Sequence, residues 1–256
     1  ILSGDLVSNG DFSQEGAEQI TNGDFETDSN WVKQAGWSIG GGTANCDGSQ
    51  NLPESVYQGG VTIVGKTYKI TYTLVSITSG TVRAVAGTLG GAFQSTIGTH
   101  TEYLTATSNT VIQIQANASF IGSIDNVSVK EVGQDWTLGT GTTIGDGIAN
   151  ITQSGGVLAQ SGGIMVSGKS FKVTFTISNY VSGSIAVSNL TPTMYRSGNG
   201  TYTLNAVGAG GDFRFFSSSF IGSVSNISVI EITSDTNLPR IDYTGGEGHW
   251  LFEPQS

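Results

Sequence analysis

Residues 119–132 read SFIGSIDNVSVKEV, and residues 219–232 read SFIGSVSNISVIEI, so that nine of the fourteen positions are identical at an offset of 100 residues. A second block, residues 65–74 (GKTYKITYTL), recurs as residues 168–177 (GKSFKVTFTI). Blocks that recur in the same order at this distance indicate duplicated domains, because solenoid repeats return every 20–50 residues or so. The chain of 256 residues is long enough for two domains of ordinary size.

The repeated blocks have the alternation of β-strands. In residues 68–74, aromatic and aliphatic side chains alternate with Lys and Thr, and residues 171–177 repeat this pattern. Such a period of two is typical of strands with one buried and one solvated face. Glycine-rich turns such as residues 39–43 separate the runs. The sequence therefore predicts an all-β chain with two tandem antiparallel β-sandwich domains of jelly-roll type.

The repeat also predicts domain boundaries. The first sandwich is expected at residues 17–132 and the second, a diverged copy, at residues 133–234. Residues 1–16 are expected to be an N-terminal linker or the edge of a neighbouring module, and they contain SNGDF at 8–12, an echo of TNGDF at 21–25. Residues 235–256 lack alternation and are predicted to be a C-terminal linker.

Charge excludes two classes of partner. The chain has 20 acidic and 10 basic residues and a net charge of −10. Without a stripe of Lys and Arg to release counterions, nucleic acid is not an expected partner, and anionic membrane surfaces are disfavoured for the same reason. No apolar run approaches the roughly 20 residues that a membrane helix needs, so membrane insertion is not expected.

The motifs that suggest an enzyme fail in their context. Residues 60–67 and 163–170 fit the phosphate-loop pattern GxxxxGK[ST], but each Lys begins an alternating strand where a helix is required. Acidic residues such as Asp47, Glu102 and Asp212 do not recur between the copies, so no duplicated carboxylate pair could hydrolyse a glycoside. We therefore expect no catalytic activity.

Several motifs resemble those of known families. They are NGDFE at 22–26, Trp31, GKTY at 65–68 and IDNVSV at 124–129. Together these resemble the jelly-roll carbohydrate-binding modules appended to many glycoside hydrolases. The stretches at 12–16, 22–31 and 237–246 also resemble bacteriophage tail-fibre and virion-surface proteins, in which such modules sit in tandem along a fibre that meets the host surface.

The resemblance implies a function. It implies a non-catalytic segment of a virion appendage that binds a host cell-surface glycan, in a fibre that is a homotrimer. Weak sugar sites on such a fibre would act through effective concentration. Two alternatives remain open: a carbohydrate-binding-module pair from a secreted bacterial polysaccharide-degrading enzyme, or a structural spacer without a ligand.

The resemblance also implies a metal site. In the resembling modules, one carboxylate near the opening strand and one near the closing strand often hold a structural Ca²⁺, and the matching positions here are Glu26 and Asp125. Ser225 replaces Asp125 in the second copy, so calcium is expected in the first sandwich only. The alternative is that Asp125 caps a turn of the strand.

Sugar binding in such modules uses exposed aromatic faces together with amide and carboxylate groups. Trp37 aligns with Trp136, and Tyr103 aligns with Tyr202 after a one-residue gap, which favours core packing for these four rings. Residues that differ between the copies are better candidates for ligand contact, although core packing is an alternative for each ring. Tyr57 maps to Ala159 in the second copy, whereas its neighbour Gln58 is matched by Gln160. With Gln58 added as a neighbouring amide, the candidates are Trp31, Tyr57, Gln58, Tyr180 and Tyr195.

Overall fold

The protein is described by a computed structural model that covers residues 2–108, 111–153, 155, 157–233, 240–242 and 249–251. Over these ranges all regular elements are β-strands, which confirms the predicted all-β class. Within the same ranges, no helix is long and apolar enough to span a membrane.

The strands are named in chain order. The first twelve are β1 (Leu2–Asp5), β2 (Glu15–Glu18), β3 (Val32–Lys33), β4 (Trp37–Ile39), β5 (Ala44–Cys46), β6 (Glu54–Gly59), β7 (Thr67–Ser79), β8 (Val82–Ala86), β9 (Leu89–Gly90), β10 (Gly98–Thr105), β11 (Val111–Ala116) and β12 (Ile121–Val132). The others are β13 (Thr137–Leu138), β14 (Thr142–Gly145), β15 (Ile148–Ile151), β16 (Val157–Gln160), β17 (Ser170–Ser188), β18 (Leu190–Thr191), β19 (Tyr195–Arg196), β20 (Gly200–Gly208), β21 (Phe213–Ile232), β22 (Arg240–Asp242) and β23 (His249–Leu251).

Sandwich 1 consists of two antiparallel sheets. Its first sheet has the order β10-β7-β12-β5-β4, with β2 paired to β12, and its second sheet has the order β3-β6-β11-β8-β9. The alternation predicted for residues 68–74 is realised in β7, where Tyr68, Ile70, Tyr72 and Leu74 are each at most 1% exposed. Each fully buried apolar side chain of this size contributes about 1.5–3 kcal/mol to folding.

Sandwich 2 repeats this arrangement with two long strands that belong to both of its sheets. The first part of β17 pairs with β20 and its last part pairs with β19. Likewise, β21 begins against β16 and later pairs with β15. β17 therefore replaces β7 and β8 of sandwich 1, and β21 replaces β11 and β12. The second sheet of sandwich 2 has the order β13-β16-β21-β17-β19.

The N-terminal residues belong to sandwich 2, which differs from the linker expected at 1–16. β1 pairs with β21 at Leu2↔Ile232 and Asp5↔Ile230. Val7 and Phe12 are buried in the core of sandwich 2. The SNGDF echo at 8–12 is thus the opening segment of the second copy.

The opening segment of sandwich 2 docks through a small set of specific contacts. The Phe12 ring lies 5.3 Å from the Trp136 ring, and the Trp136 indole N–H donates to the Asn9 carbonyl at 3.0 Å. The Ile227 N–H donates to the Gly10 carbonyl at 2.9 Å. A Cβ on Gly10 would lie 2.0 Å from the Ile227 oxygen, so only glycine allows the turn to approach the closing strand this closely.

Sandwich 1 makes the same contacts with its own opening segment. The Phe25 ring lies 5.1 Å from the Trp31 ring, and the Trp31 indole donates to the Asn22 carbonyl at 2.8 Å. The Val127 N–H donates to the Gly23 carbonyl at 2.8 Å. The two NGDF turns are therefore equivalent parts of two copies of one fold.

Sandwich 1 is consequently inserted between the first strand and the remaining strands of sandwich 2. Residues 15–132 form the insert, whose two ends meet where Glu15 of β2 pairs with Val132 of β12. Insertions of whole domains are tolerated where chain ends lie close together in this way. Of the predicted linker at 235–256, β22 and β23 form an antiparallel pair, and its other residues lie outside the described ranges.

Tyr103 joins the two sandwiches. Its ring packs against the core of sandwich 2, and its hydroxyl donates to Asp146 Oδ1 at 3.1 Å. Burial, together with the nearby Asp146 carboxylate, raises the pKa of the Tyr103 hydroxyl. Tyr103 lies opposite Lys69, whereas Tyr202 lies opposite Phe175, which corresponds to Tyr72 in the first copy. The two tyrosines therefore occupy different positions, and their predicted correspondence is wrong.

The inserted topology predicts which sandwich each NGDF turn stabilises. Phe12→Ala should lower the free energy of unfolding of sandwich 2 by about 3–5 kcal/mol, because it empties a core position. Hydrogen exchange followed by mass spectrometry should show faster exchange in residues 170–188 and 213–232. The matched control Phe25→Ala should instead speed exchange in residues 67–79 and 121–132. Unchanged protection of sandwich 2 in Phe12→Ala would contradict the assignment.

Candidate functional site

Two of the predicted sugar-binding residues, Trp31 and Gln58, lie in the interior, and their assignment is corrected. Trp31 packs against Phe25 and is 5% exposed, so neither face of its indole is open to a sugar ring. The Gln58 amide donates to the Thr21 carbonyl at 2.6 Å, and its oxygen accepts from the Thr21 N–H at 3.3 Å. With both ends of its amide satisfied, Gln58 anchors the opening turn of sandwich 1.

The predicted pairing of Trp37 with Trp136 is also corrected. Trp136 makes in sandwich 2 the contacts that Trp31 makes in sandwich 1. Trp37 begins β4 and donates from its indole to the Glu54 carbonyl at 3.1 Å. Its position in sandwich 2 is held by Thr142, which begins β14. Glycine-rich turns after both tryptophans made the two stretches look alike in sequence.

Tyr180 has a structural role at one end of sandwich 2. Its ring lies 6.1 Å from the Phe220 ring and packs against the core, while its hydroxyl donates to the Gly183 carbonyl at 3.0 Å. The ring and the hydroxyl are both engaged within the protein. Tyr180 is thus placed as a partly buried cover of the core, away from the two exposed sheet faces described next.

Tyr57 and Tyr195, the other two candidates, lie on the outer faces of the second sheets. Tyr57 is half-buried on β6, and Tyr195 is 51% exposed on β19. The predicted correspondences of Tyr57 with Ala159 and of Gln58 with Gln160 agree with the strand register, because Gln160 exchanges the same two hydrogen bonds with Ser8. The structure thus concentrates the exposed candidates on one surface of each sandwich.

Face 1 is the outer face of the second sheet of sandwich 1. One row across its five strands consists of Val32, Tyr57, Gln113, Val85 and Gly90. The next row consists of Ser55, Gln115 and Arg83. Phe93 follows β9 and is 49% exposed. Ser55 is buried, so face 1 combines amides, the Tyr57 hydroxyl, a guanidinium and a half-exposed aromatic ring.

Arg83 is held in a fixed position on face 1. Its guanidinium lies 4.4 Å from the centre of the Phe93 ring. Its Nε and Nη2 donate to Gln115 Oε1 at 3.0 and 2.8 Å. A Cβ on Gly90 would lie 2.5 Å from the Arg83 Cζ, so the guanidinium occupies the space that a side chain at position 90 would fill.

Face 2 is the corresponding outer face of sandwich 2. Phe216, Ala186 and Tyr195 are directly opposite one another on three adjacent strands. Phe216 is 45% exposed, whereas Ala186 between the two rings is 1% exposed and lies outside the core cluster. The neighbouring row consists of Thr137, Ala159, Arg214 and Ser188. Two open rings therefore flank a small residue on the floor of face 2.

Phe93 and Tyr195 occupy equivalent positions on the two faces. Phe93 immediately precedes Gln94, which pairs with Val82 at the start of β8. Tyr195 immediately precedes Arg196, which pairs with Ile185, the residue of β17 that corresponds to Val82. Sequence reasoning missed Phe93 and Phe216. For Phe216, the alternation within FRFF at 213–216 carried a signal, because Phe213 and Phe215 are buried and Phe216 therefore points outward.

A buried carboxyl group supports the loop that carries Phe93. Glu102 is 9% exposed, its Oε2 accepts from the Ala92 N–H at 3.0 Å, and its Oε1 has no hydrogen-bond partner. Burial raises the pKa of the Glu102 carboxyl. In sandwich 2, the equivalent position opposite Val173 holds Leu204. Glu102 is thus a polar exception in a core position, tied to the residue next to Phe93.

The proposed calcium ligands lie at the surface of sandwich 1. Glu26 is exposed, and its Oε1 would lie 3.7 Å from a Cβ on Gly42 in the β4–β5 turn. Both Asp125 oxygens accept hydrogen bonds from Asn126, at 2.6 and 3.0 Å. In the described ranges, no three His, Cys, Asp or Glu side chains converge to hold a metal. Calcium takes six to eight oxygens, so backbone carbonyls would have to complete the ligand set.

Comparisons with known proteins give structural similarities only. No protein-family model and no curated protein sequence matches the chain. One similar structure is the N-terminal CBM22-1–CBM22-2 tandem domain of Xyn10C from Paenibacillus barcinonensis, at 10% identity and a TM-score of 0.35, covering 89% of this chain and 100% of that one. A Paenibacillus xanthan lyase is 15% identical with a TM-score of 0.26, covering 81% of this chain and 25% of the lyase. At these values, neither similarity assigns a function to this chain.

The raised pKa of Glu102 predicts a pH-dependent stability. A carboxyl whose folded pKa exceeds its unfolded value stabilises the fold most at low pH, and that contribution is lost as the pH rises through the folded pKa. Glu102→Gln keeps an acceptor for the Ala92 N–H and removes the charge. Its advantage over the wild type in urea unfolding of sandwich 1 should therefore grow between about pH 4 and pH 7. A difference that is constant with pH would contradict a raised pKa.

Thermal unfolding with and without a chelator tests the calcium prediction. If Glu26 and Asp125 hold Ca²⁺, a chelator should lower the melting temperature of sandwich 1 alone, because a ligand of the folded state stabilises by mass action. The control is sandwich 2, where Ser225 replaces Asp125 and Ser13 follows Phe12 as Glu26 follows Phe25. A chelator-insensitive sandwich 1 would reject the site.

Proposed function

We propose that the chain is a non-catalytic glycan-binding segment, in which faces 1 and 2 each hold part of a polysaccharide. The observation that carries this proposal is the equivalent placement of Phe93 and Tyr195, one half-exposed aromatic ring on the same outer face of each sandwich. Aromatic rings exposed at the same place in two diverged copies are not needed by the core, whose own aromatic residues are buried.

The two faces have the chemistry that sugar recognition requires. A pyranose ring presents a flat patch of C–H bonds that stacks on an aromatic ring, and its hydroxyls need donors and acceptors around that ring. Phe216 and Tyr195 provide two such rings on face 2. On face 1, Gln113 and Tyr57, whose side chains carry an amide and a hydroxyl, are directly opposite each other in the strand register. The half-exposed rings leave room for a ligand without any change in the core.

We place this segment in a bacteriophage tail fibre or another virion appendage that attaches to a host-cell glycan. This placement is supported by the resemblance of the sequence motifs to virion-surface proteins. A homotrimeric fibre would present several weak faces together, and their effective concentration would raise the avidity. Structural calcium at Glu26 and Asp125 in sandwich 1 belongs to the same proposal. A module pair from a secreted polysaccharide-degrading enzyme is the second candidate, and immunogold labelling of purified virions with antibodies to this chain distinguishes the two.

A glycan array with the purified chain tests the binding function. We expect binding to at least one glycan, and we expect Tyr195→Ala and Phe216→Ala to weaken it about tenfold, since stacked aromatic contacts contribute on the order of 1 kcal/mol or more each. Val207→Ala is the matched control, because Val207 is a 41% exposed apolar residue on β20 in the other sheet of the same sandwich. Absence of binding to every glycan, with and without Ca²⁺, would favour the ligand-free spacer.

A further inference from the structure

The distribution of positive charge on the protein is unusual. Five lysines form ion pairs, namely Lys33 with Asp28, Lys66 with Glu131, Lys69 and Lys130 with Glu15, and Lys169 with Glu231. Among the described residues, Lys172, Arg83, Arg196 and Arg214 form no ion pair with a carboxylate, although the chain carries 20 acidic residues. Arg196 lies over the Tyr202 ring and donates to the Tyr195 carbonyl. Arg83 lies on face 1 and Arg214 on face 2. Each face thus has one guanidinium that forms no ion pair with a carboxylate.

The Arg83 guanidinium is pre-organised. Stacking on Phe93 and the two hydrogen bonds to Gln115 Oε1 fix its plane. A guanidinium has five N–H donors, so the two bonds to Gln115 leave three available. The buried Glu102 is close enough for Arg83 to favour its ionisation but does not form an ion pair with it. An ordered guanidinium with free donors loses little entropy when a planar acceptor binds.

Arg214 is open on face 2. It is exposed on β21 and lies between Ala159 and Ser188 on the neighbouring strands. These small side chains leave the guanidinium uncovered. The row that contains Phe216 and Tyr195 runs beside it, two residues along the same strands. A sugar stacked on Phe216 would therefore lie beside an exposed positive charge.

The net charge limits what these arginines can attract. A densely charged polyanion would be repelled by a chain of net charge −10, whereas one guanidinium per face suits one carboxylate at a time. A carboxylate accepts two parallel N–H bonds from a guanidinium, and this charge-assisted pair is about twice as strong as a neutral hydrogen bond. A sugar hydroxyl offers neither the charge nor the paired oxygens. The arrangement therefore fits a glycan in which carboxylated and neutral sugars alternate.

We propose that faces 1 and 2 bind an acidic heteropolysaccharide, with a neutral sugar on the exposed aromatic rings and the carboxylate of a uronic acid on Arg83 or Arg214. This inference rests on the proposed glycan-binding function and specifies the class of glycan. The guanidinium forms no ion pair within the protein, so binding of the carboxylate requires no internal ion pair to break.

Gellan and hyaluronan, in which neutral sugars separate the uronic acids, test this inference alongside their carboxyl-reduced forms. The native chain should bind at least one of the two, and reduction of the carboxylates to hydroxymethyl groups should weaken binding about tenfold or more. Affinity for the native polymer should also fall as NaCl is raised. Polygalacturonate, which is charged at every sugar, should bind more weakly than the preferred heteropolymer.

Variants of the two arginines provide the second arm. Arg214→Gln removes an exposed side chain that forms no ion pair with the described residues, so its fold should be unchanged. Together with Arg83→Gln, it should lower affinity for the native polymer about tenfold while leaving the reduced polymer unaffected. Lys172→Gln, which removes one charge from the first sheet of sandwich 2, should change affinity less than about twofold. Arg214→Lys should restore only part of the loss.

The outcomes separate this inference from the proposed function. Equal binding of native and carboxyl-reduced polymers, or of wild type and the Arg83→Gln/Arg214→Gln double variant, overturns the acidic-glycan inference and leaves glycan binding in place when Tyr195→Ala still weakens it. Failure to bind gellan and hyaluronan, together with binding of neutral glycans on the array, also overturns the acidic-glycan inference and leaves glycan binding in place. Failure to bind any glycan at all overturns both.

Discussion

The docking of the opening NGDF turn against the closing strand is the constraint on which the second sandwich depends. The Val229 N–H donates to the Asp5 carboxylate at 2.9 Å across 224 residues, and the Leu6 N–H donates to the Val229 carbonyl at 2.8 Å. Closing an unstructured loop of that length would cost conformational entropy. Here the intervening residues fold into sandwich 1, whose ends meet where Glu15 pairs with Val132, so that a folded insert brings the two parts of sandwich 2 together.

The local parts of this fold could be predicted from the sequence, and the long-range part could not. Alternation in residues 68–74 and 171–177 depends on which side of a strand is buried, and it correctly located β7 and β17. The pairing of β1 with β21 leaves no periodic signal, because four residues are too few to show one. Only the SNGDF echo at 8–12 pointed to a second opening segment. Its distance from the rest of the second copy suggested a neighbouring module instead.

The candidate site was predicted in part for a similar reason. Comparison of the copies correctly matched Gln58 with Gln160, yet it could not show that both amides are buried against the opening turn. Trp31 has no aligned tryptophan in the second copy when Trp136 is matched to Trp37, but the structure shows that Trp136 is the counterpart of Trp31. Tyr195 was found because it differs between the copies, and the structure adds its 51% exposure and its neighbours on face 2. Whether a side chain points outward depends on its place in the alternation along the strand, and a one-residue gap in the alignment of the two copies reverses that assignment.

Faces 1 and 2 differ in the groups that they expose, so they complement each other and are not two copies of one binding surface. Arg83 and Ala186 occupy equivalent positions, each directly opposite an outward residue of the central strand, Gln115 or Phe216. On face 1 the guanidinium lies over the aromatic ring at position 93, whereas on face 2 the small Ala186 leaves the ring at position 195 open. Face 1 therefore offers mainly charge-assisted hydrogen bonds, and face 2 offers mainly stacking. Tyr103 links the sandwiches through Asp146. Under the proposed function, a polymer long enough to reach both faces would bind the second face with the advantage of a raised effective concentration. Two weak and unlike contacts would then select a glycan that presents both a carboxylate and a neutral ring.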